Sequence, residues 1–175
     1  MISGDFLAKL AGMWFFYRWH PEVAIRYLPI VDEINKFGTS MSILEVGSGG
    51  LGIAPYLKKN ITGLDDRFYP PFHHQLKKVK GDVRKIPYVN RSFDIVISVD
   101  MLEHLKANDR SKAISEMLRV ARKKIILAVP CGMQAYFQDK ELDGIYKKDT
   151  GRSYHFLSEQ IDYGLPEIKL LEGLI

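Results

Sequence analysis

The stretch Ile43-Leu44-Glu45-Val46-Gly47-Ser48-Gly49-Gly50-Leu51-Gly52 decides the fold. Ser42 to Val46 is a nearly continuous apolar run without alternation, which suits a strand buried on both faces of a parallel sheet. A glycine cluster follows at once, and a short helix is expected from about Ile53. Backbone without Cβ atoms turns tightly and lets a ligand approach to contact distance, while the helix start offers free N–H groups. A nucleotide-like ligand is implied. The spacing Gly47-x-Gly49-x-x-Gly52 also fits a dinucleotide fingerprint, so the glycines alone leave the ligand open.

Working outward, the same texture recurs. NITGLD (60–65), LKKVKGD (76–82), FDIVISVD (93–100) and KKIILAVP (123–130) are four further candidate strands bounded by turn residues. Between the last two, Ile114, Met117, Leu118 and Ala121 line one helical face, with Arg110, Lys112, Ser115 and Arg122 largely off that stripe. Upstream, Val23, Tyr27, Ile30, Val31 and Ile34 recur at helical spacing and Gly38 is a stop, which gives one or two helices in the first forty residues. Strands alternating with helices predict an α/β fold, a Rossmann-like doubly wound parallel sheet with right-handed crossovers. The chain of 175 residues fits one domain. Its expected parts are N-terminal helices (1–40), a ligand-binding core (41–132), and a lid with C-terminal helices (133–175).

Three acids narrow the ligand. Glu45 sits inside the end of a buried strand, where a dinucleotide enzyme would normally carry an apolar residue. Asp65 closes the second strand, where a carboxylate can accept both hydroxyls of a ribose. Asp82 follows Gly81 after the third strand, placed to accept the hydrogen bond of an exocyclic adenine amine. Asp65 and Asp82 each have a duller reading as caps of the turn that follows.

With these residues the sequence resembles the class I S-adenosylmethionine-dependent methyltransferases, in the broad group with E-x-G-x-G and L-E-H signatures. The matching residues are Glu45-Val46-Gly47-Ser48-Gly49, Asp65, Gly81-Asp82, Ser92-Phe93-Asp94-Ile95-Val96-Ile97-Ser98, and Asp100-Met101-Leu102-Glu103-His104-Leu105. Glu116 with Arg119-Val120, and Val129-Pro130, extend the match, which covers about 41 to 132. The resemblance implies S-adenosyl-L-methionine as cofactor and a strand order of 3-2-1-4-5. It places Gly47, Ser48 and Gly49 around the methionine part of the cofactor, Asp65 on the ribose, and Asp82 with Val83 at the adenine. Asp100 joins this set, and Glu45 orients the glycine loop. The family normally adds a C-terminal antiparallel strand pair, which this sequence lacks.

Methyl transfer is an in-line displacement at a carbon that is already electrophilic, so the protein chiefly aligns the acceptor and excludes water. A base is needed only where the acceptor arrives protonated. His104, in the turn after the fourth strand, suits that task near neutrality, and a structural histidine capping the turn is the alternative. Asp100, Glu103 and His104 are spaced i, i+3, i+4, so a helical turn there would put all three on one face, where they are candidates to hold a divalent ion. No metal is assigned. Cys131 lacks the surroundings of an activated thiolate and reads as an ordinary cysteine.

Aromatic residues gather where the acceptor is expected: Trp14, Phe15, Phe16, Tyr17 and Trp19 before the core, and Tyr136, Phe137, Tyr146, Tyr154, His155 and Phe156 after it. Such rings enclose a planar or apolar acceptor, or else form ordinary helix packing. Lys140, Lys147, Lys148 and Arg152 add positive charge to the lid. A small-molecule acceptor is the leading expectation. Methylation of RNA or protein, and a non-catalytic S-adenosylmethionine-binding role, remain open.

Composition sets outer limits. The formal net charge of +4 permits attraction to phosphate-bearing partners without requiring it, so nucleic acid stays an open partner. The single cysteine calls for no oxidising compartment and points to the cytoplasm. The longest uncharged apolar run near the start, Leu10 to Tyr17, falls far short of the roughly 20 residues of a membrane span. At the other end, Phe156 to Tyr163 reads as helical, Gly164 stops it, and Pro166 opens another helix carrying Ile168, Leu171, Leu174 and Ile175. The fifth strand would then be an apolar edge without a charged gatekeeper in its centre. It should be covered by the C-terminal helices, by a second copy in a homodimer, or by polypeptide missing from a trimmed chain.

Overall fold

The computed structural model describes residues 21–173. Helix α1 (Pro21–Asn35) leads into β1 (Ile43–Val46), the short α2 (Ala54–Leu57), β2 (Ile61–Asp65), β3 (Leu76–Lys80) and β4 (Phe93–Val99). A single 3-10 turn (Leu102–His104), α3 (Ala107–Val120) and β5 (Ala121–Ala128) follow, and then α4 (Gly132–Thr150), α5 (His155–Tyr163) and α6 (Ile168–Glu172). All five strand runs expected from the sequence form.

The strands make one parallel sheet in the order β3-β2-β1-β4-β5, and no antiparallel pair occurs among the described residues. Every residue of β1 and β4 is buried, as their unbroken apolar runs require. Because side chains alternate across a strand, β1 serves two cores. Leu44 and Val46 join Leu64 and Val96 under Ile114, Met117 and Val120 of α3. Ile43, with Ile61, Ile95 and Ile97, packs on the other face against Ile30 and Ile34 of α1 and Ile53 and Ala54 beside α2. Glu45 shares this second face, beneath α1 and α2. The helix stop lies where the sequence put it, with Gly38 at φ +87° after the Asn35 end of α1.

At the opposite end of the sheet, Asp94 ties three strands together. Its carboxylate accepts from the Ser42 N–H (3.0 Å) and hydroxyl (2.8 Å), and from Arg122 (3.0 Å) at the start of β5. The Ser42 bonds and the neighbouring cations hold its pKa well below the usual carboxylate range.

Three expectations need correction. Ala121 begins β5 instead of extending the helix, and Leu118 faces solvent at 36% exposure. Arg110, expected off the apolar stripe, is 3% exposed, because carbonyl oxygens surround its guanidinium inside the fold. Pro166 does not open α6, which starts at Ile168 after Glu167; its buried carbonyl instead accepts from Gly132 N–H at 3.0 Å.

Alpha-6 lies beside the end of β5, where Leu171 packs against the core. Leu127, Val129, Cys131, Ile168, Leu171 and Glu172 line an open cavity of about 480 Å³ there. The cluster Trp14 to Trp19 and the final Leu174 and Ile175 lie outside the described residues.

Candidate functional site

The carboxyl ends of β1, β2 and β4 converge on the glycine loop. Gly47 follows β1 at φ +79°, donating its N–H to Leu64 O at 2.8 Å. A Cβ at this position would stand 2.4 Å from Met101 Cγ, so only glycine fits the approach of this loop to the β4 turn. Ser48 is buried against β2, where a Cβ on Gly63 would meet its hydroxyl at 2.3 Å. Gly49 donates its N–H to Asp65 Oδ2 at 2.8 Å, and Asp65 Oδ1 accepts from Arg67 N–H at 3.1 Å. Asp65 therefore both caps its own turn and holds the glycine loop. Its half-burial raises its pKa, against the pull of those two N–H groups.

Glu45 lies fully buried beneath the loop. Oε2 accepts from Ile53 N–H at 2.7 Å and Oε1 from the Tyr27 hydroxyl at 3.0 Å. Loss of water pushes its pKa up to about 7 despite both hydrogen bonds, with the nearby Asp65 charge acting in the same direction. The loop closes over this carboxylate, since a Cβ on Gly52 would stand 2.1 Å from Oε2. From outside, the segment after β2 packs on the loop, with His73 N–H donating to Gly50 O at 3.1 Å.

Asp82 stands apart from this cluster. Its exposed carboxylate is gripped by Arg84, whose Nη2 lies 2.8 Å from Oδ2 and whose backbone N–H donates to Oδ1 at 2.8 Å. The Arg84 guanidinium lowers its pKa. Val83 is half-buried against the α3 side of the core. Two α3 residues fix this segment: Glu116 accepts from Ile86 N–H at 2.8 Å, and Arg119 donates to the carbonyls of Tyr88 (2.7 Å) and Ile86 (3.0 Å). The pair quoted from the sequence as a motif is thus a clamp on the loop that carries Asp82.

Past β4 the candidates separate. Asp100 adopts φ +48°, bonds its N–H to Ala128 O at 2.9 Å, and pairs its carboxylate with Arg26 of α1. Burial raises its pKa. Glu103 is 1% exposed, and neither carboxylate oxygen has a hydrogen-bond partner. Desolvation pushes its pKa up to about 8, with Asp100 adding to the effect. His104 turns to α5, its Nδ1 3.1 Å from Glu159 Oε2 and its ring edge-on to Phe156 at 5.4 Å.

The expected common face of Asp100, Glu103 and His104 does not form. Only Leu102 to His104 are helical, in the tighter 3-10 form, and Asp100 lies outside it in a left-handed conformation. Among the described residues no group of three or more His, Cys, Asp or Glu is arranged to hold a metal ion.

Four participants escaped the sequence reading. Arg26 and Tyr27 reach the site from α1, where the sequence pattern shows Tyr27 only as part of an apolar stripe. Glu159 and Arg110 complete the β4 turn. The Arg110 guanidinium donates to the carbonyls of Leu102 and Leu105 at 3.0 Å each, and to those of Tyr163 and Gly164 at the end of α5. The lid aromatics gather around this junction, with Tyr154 5.4 Å from Tyr146 and 5.7 Å from Phe156. Phe137 remains 60% exposed, and Lys140 lies over Tyr136 at 5.4 Å.

Residues 44–129 match the family described as "Methyltransferase domain". A methyltransferase-named protein of Encephalitozoon cuniculi is 44% identical over 45 residues, which are 25% of this chain and 21% of that one. Among solved structures, a methyltransferase-named protein of Bacillus halodurans has a TM-score of 0.57 at 18% identity, over 84% of this chain and 65% of its own. A Methanococcus maripaludis protein named as an S-adenosyl-L-methionine-dependent methyltransferase has a TM-score of 0.55 at 16% identity, over 98% of this chain and 81% of its own. The chain therefore spans about a fifth of the curated relative and just under two thirds of the Bacillus structure.

Proposed function

Since residues 44–129 match the methyltransferase-domain family, which uses S-adenosylmethionine, we propose that this chain transfers the methyl group of that cofactor to a small-molecule acceptor. The observation that carries this reading is the Asp65 carboxylate at the end of β2, half-buried and bonded to the N–H of Gly49. A ribose would exchange its hydroxyls for that N–H or share the carboxylate with it. The cradle leaves room for such a ligand beside Gly49, where a Cβ would meet nothing within 4 Å, while Gly47 and Gly52 let the loop close on Met101 and Glu45. Ser48 and Gly49 would border the methionine part, with Asp100 alongside, while Asp82 and Val83 would border the adenine. Glu45 shapes the loop from beneath.

The bound cofactor supplies an electrophilic methyl carbon. This chain's residues then align the acceptor and shed its proton. His104 is the general base assigned to that proton, and Tyr146, Tyr154 and Phe156 form the apolar wall beside it. No metal is required for such a transfer. The three segments 1–40, 41–132 and 133–175 act as one domain in this reading. Among the described residues no helix is long and apolar enough to cross a membrane, and the lone cysteine suits the cytoplasm. The test is methyl transfer from labelled S-adenosylmethionine into fractionated small-molecule extract. Label in a small-molecule fraction that disappears with His104→Asn supports the reading; label confined to RNA or protein fractions refutes the acceptor class.

A further inference from the structure

We propose that Glu159 on α5 is the positioning residue of His104: it holds a proton on Nδ1 and leaves Nε2 as the basic nitrogen of the ring. The inference rests on His104 as the base and extends that assignment to the helix covering it. An ionised carboxylate only accepts hydrogen bonds, so the ring nitrogen 3.1 Å from Glu159 Oε2 must be the donor. In a neutral imidazole the other nitrogen then carries the lone pair.

Two further groups surround this pair. The second Glu159 oxygen, Oε1, lies 3.4 Å from His155 Nε2. The Phe156 ring lies 5.4 Å from the His104 ring and 5.5 Å from that of His155. Arg110 supplies the frame, because one buried guanidinium binds the Leu102 and Leu105 carbonyls around His104 and also the Tyr163 and Gly164 carbonyls that end α5. Base and carboxylate are thereby fixed to a common point, although α5 itself buries no side chain. When the acceptor loses its proton, the Nε2 lone pair takes it, and the imidazolium so formed faces an ionised carboxylate. Asp100, four residues earlier, is already paired with Arg26.

The test is nitrogen-15 spectroscopy of the His104 ring at a pH where imidazole is neutral, with His104→Asn identifying the signals. The wild-type ring should show protonated Nδ1 and unprotonated Nε2. Glu159→Ala should reduce the Nδ1-H to Nε2-H ratio roughly tenfold or more, as expected for loss of a hydrogen bond to a charged group. Glu159→Gln, which retains an acceptor oxygen, should keep more of the ratio than alanine does. Affinity for S-adenosylhomocysteine should stay within about twofold in both variants, since neither touches the glycine loop. The same ratio in wild type and Glu159→Ala overturns the proposal, even where His104→Asn abolishes transfer. A ratio that follows Glu159 supports it, even where His104→Asn keeps full transfer and the base assignment itself fails.

Discussion

Replacing Glu45 with Gln should stabilise the unliganded protein progressively as pH rises. The carboxyl is buried, and its pKa moves from 4.5 in the unfolded chain to about 7 in the native state, chiefly because it has lost water. A carboxyl raised in this way binds its proton more tightly when folded. Its favourable contribution is therefore complete below about pH 4.5 and is lost as pH climbs through 7. The shift of about 2.5 units, at roughly 1.4 kcal/mol each, amounts to about 3.5 kcal/mol in full, of which about 3 kcal/mol falls between pH 4.5 and 8.5. Glutamine keeps an oxygen for the Ile53 N–H and can donate to Tyr27, so it removes the titration while sparing the hydrogen bonds. Glu103, raised to about 8, weakens both proteins over a similar range and cancels in the difference. Urea unfolding of wild type and Glu45→Gln at pH 4.5, 6, 7 and 8.5 measures it. The stability of the variant minus that of wild type should grow by about 3 kcal/mol from the lowest pH to the highest. A difference that stays flat would refute the buried, desolvated carboxyl beneath the loop.

Asp65→Ala should weaken S-adenosylhomocysteine binding in calorimetry by roughly 10- to 150-fold, the loss of charge-assisted hydrogen bonds, while the fold persists by circular dichroism. Arg110→Met leaves four buried or half-buried carbonyls without their donor and should cost about 3 kcal/mol in urea unfolding. The same variant should show faster hydrogen exchange across residues 155–164, and unchanged exchange there would contradict the anchoring of α5. Gly52→Ala meets both a φ of +51° and the Glu45 carboxylate, so a cost of about 2 kcal/mol or more is expected in the same assay.

The sheet was legible because its signals are local. Unbroken apolar runs mark β1 and β4, and Gly47 marks the point where a side chain would collide with Met101 of the β4 turn. Asp65 was legible as the acid that closes a strand beside that loop. What local pattern cannot show is which distant groups answer a given residue. Arg110 looked like a solvated position until the carbonyls of the β4 turn and of the end of α5 enclosed it, some from more than fifty residues away. Glu159 carried no signal because its partner, His104, is 55 residues earlier in the chain. The spacing of Asp100, Glu103 and His104 misled for a related reason: it assumes an α-helical turn, and the backbone leaves β4 through a left-handed residue first. The expectation for Asp82 leaves out Arg84, a neighbour only two residues away, whose guanidinium bonds both carboxylate oxygens.

Cofactor identity bears on the whole account, and titration calorimetry with S-adenosylhomocysteine and with NAD, paired with melting curves, tests it most directly. Glu45 beneath the loop and Asp65 pinning Gly49 predict saturable binding of S-adenosylhomocysteine. Stabilisation should reach about 2.7 kcal/mol when the ligand stands at 100 times its dissociation constant, with no comparable shift from NAD. Tighter binding and a larger melting shift with NAD would contradict the methyltransferase reading at its root.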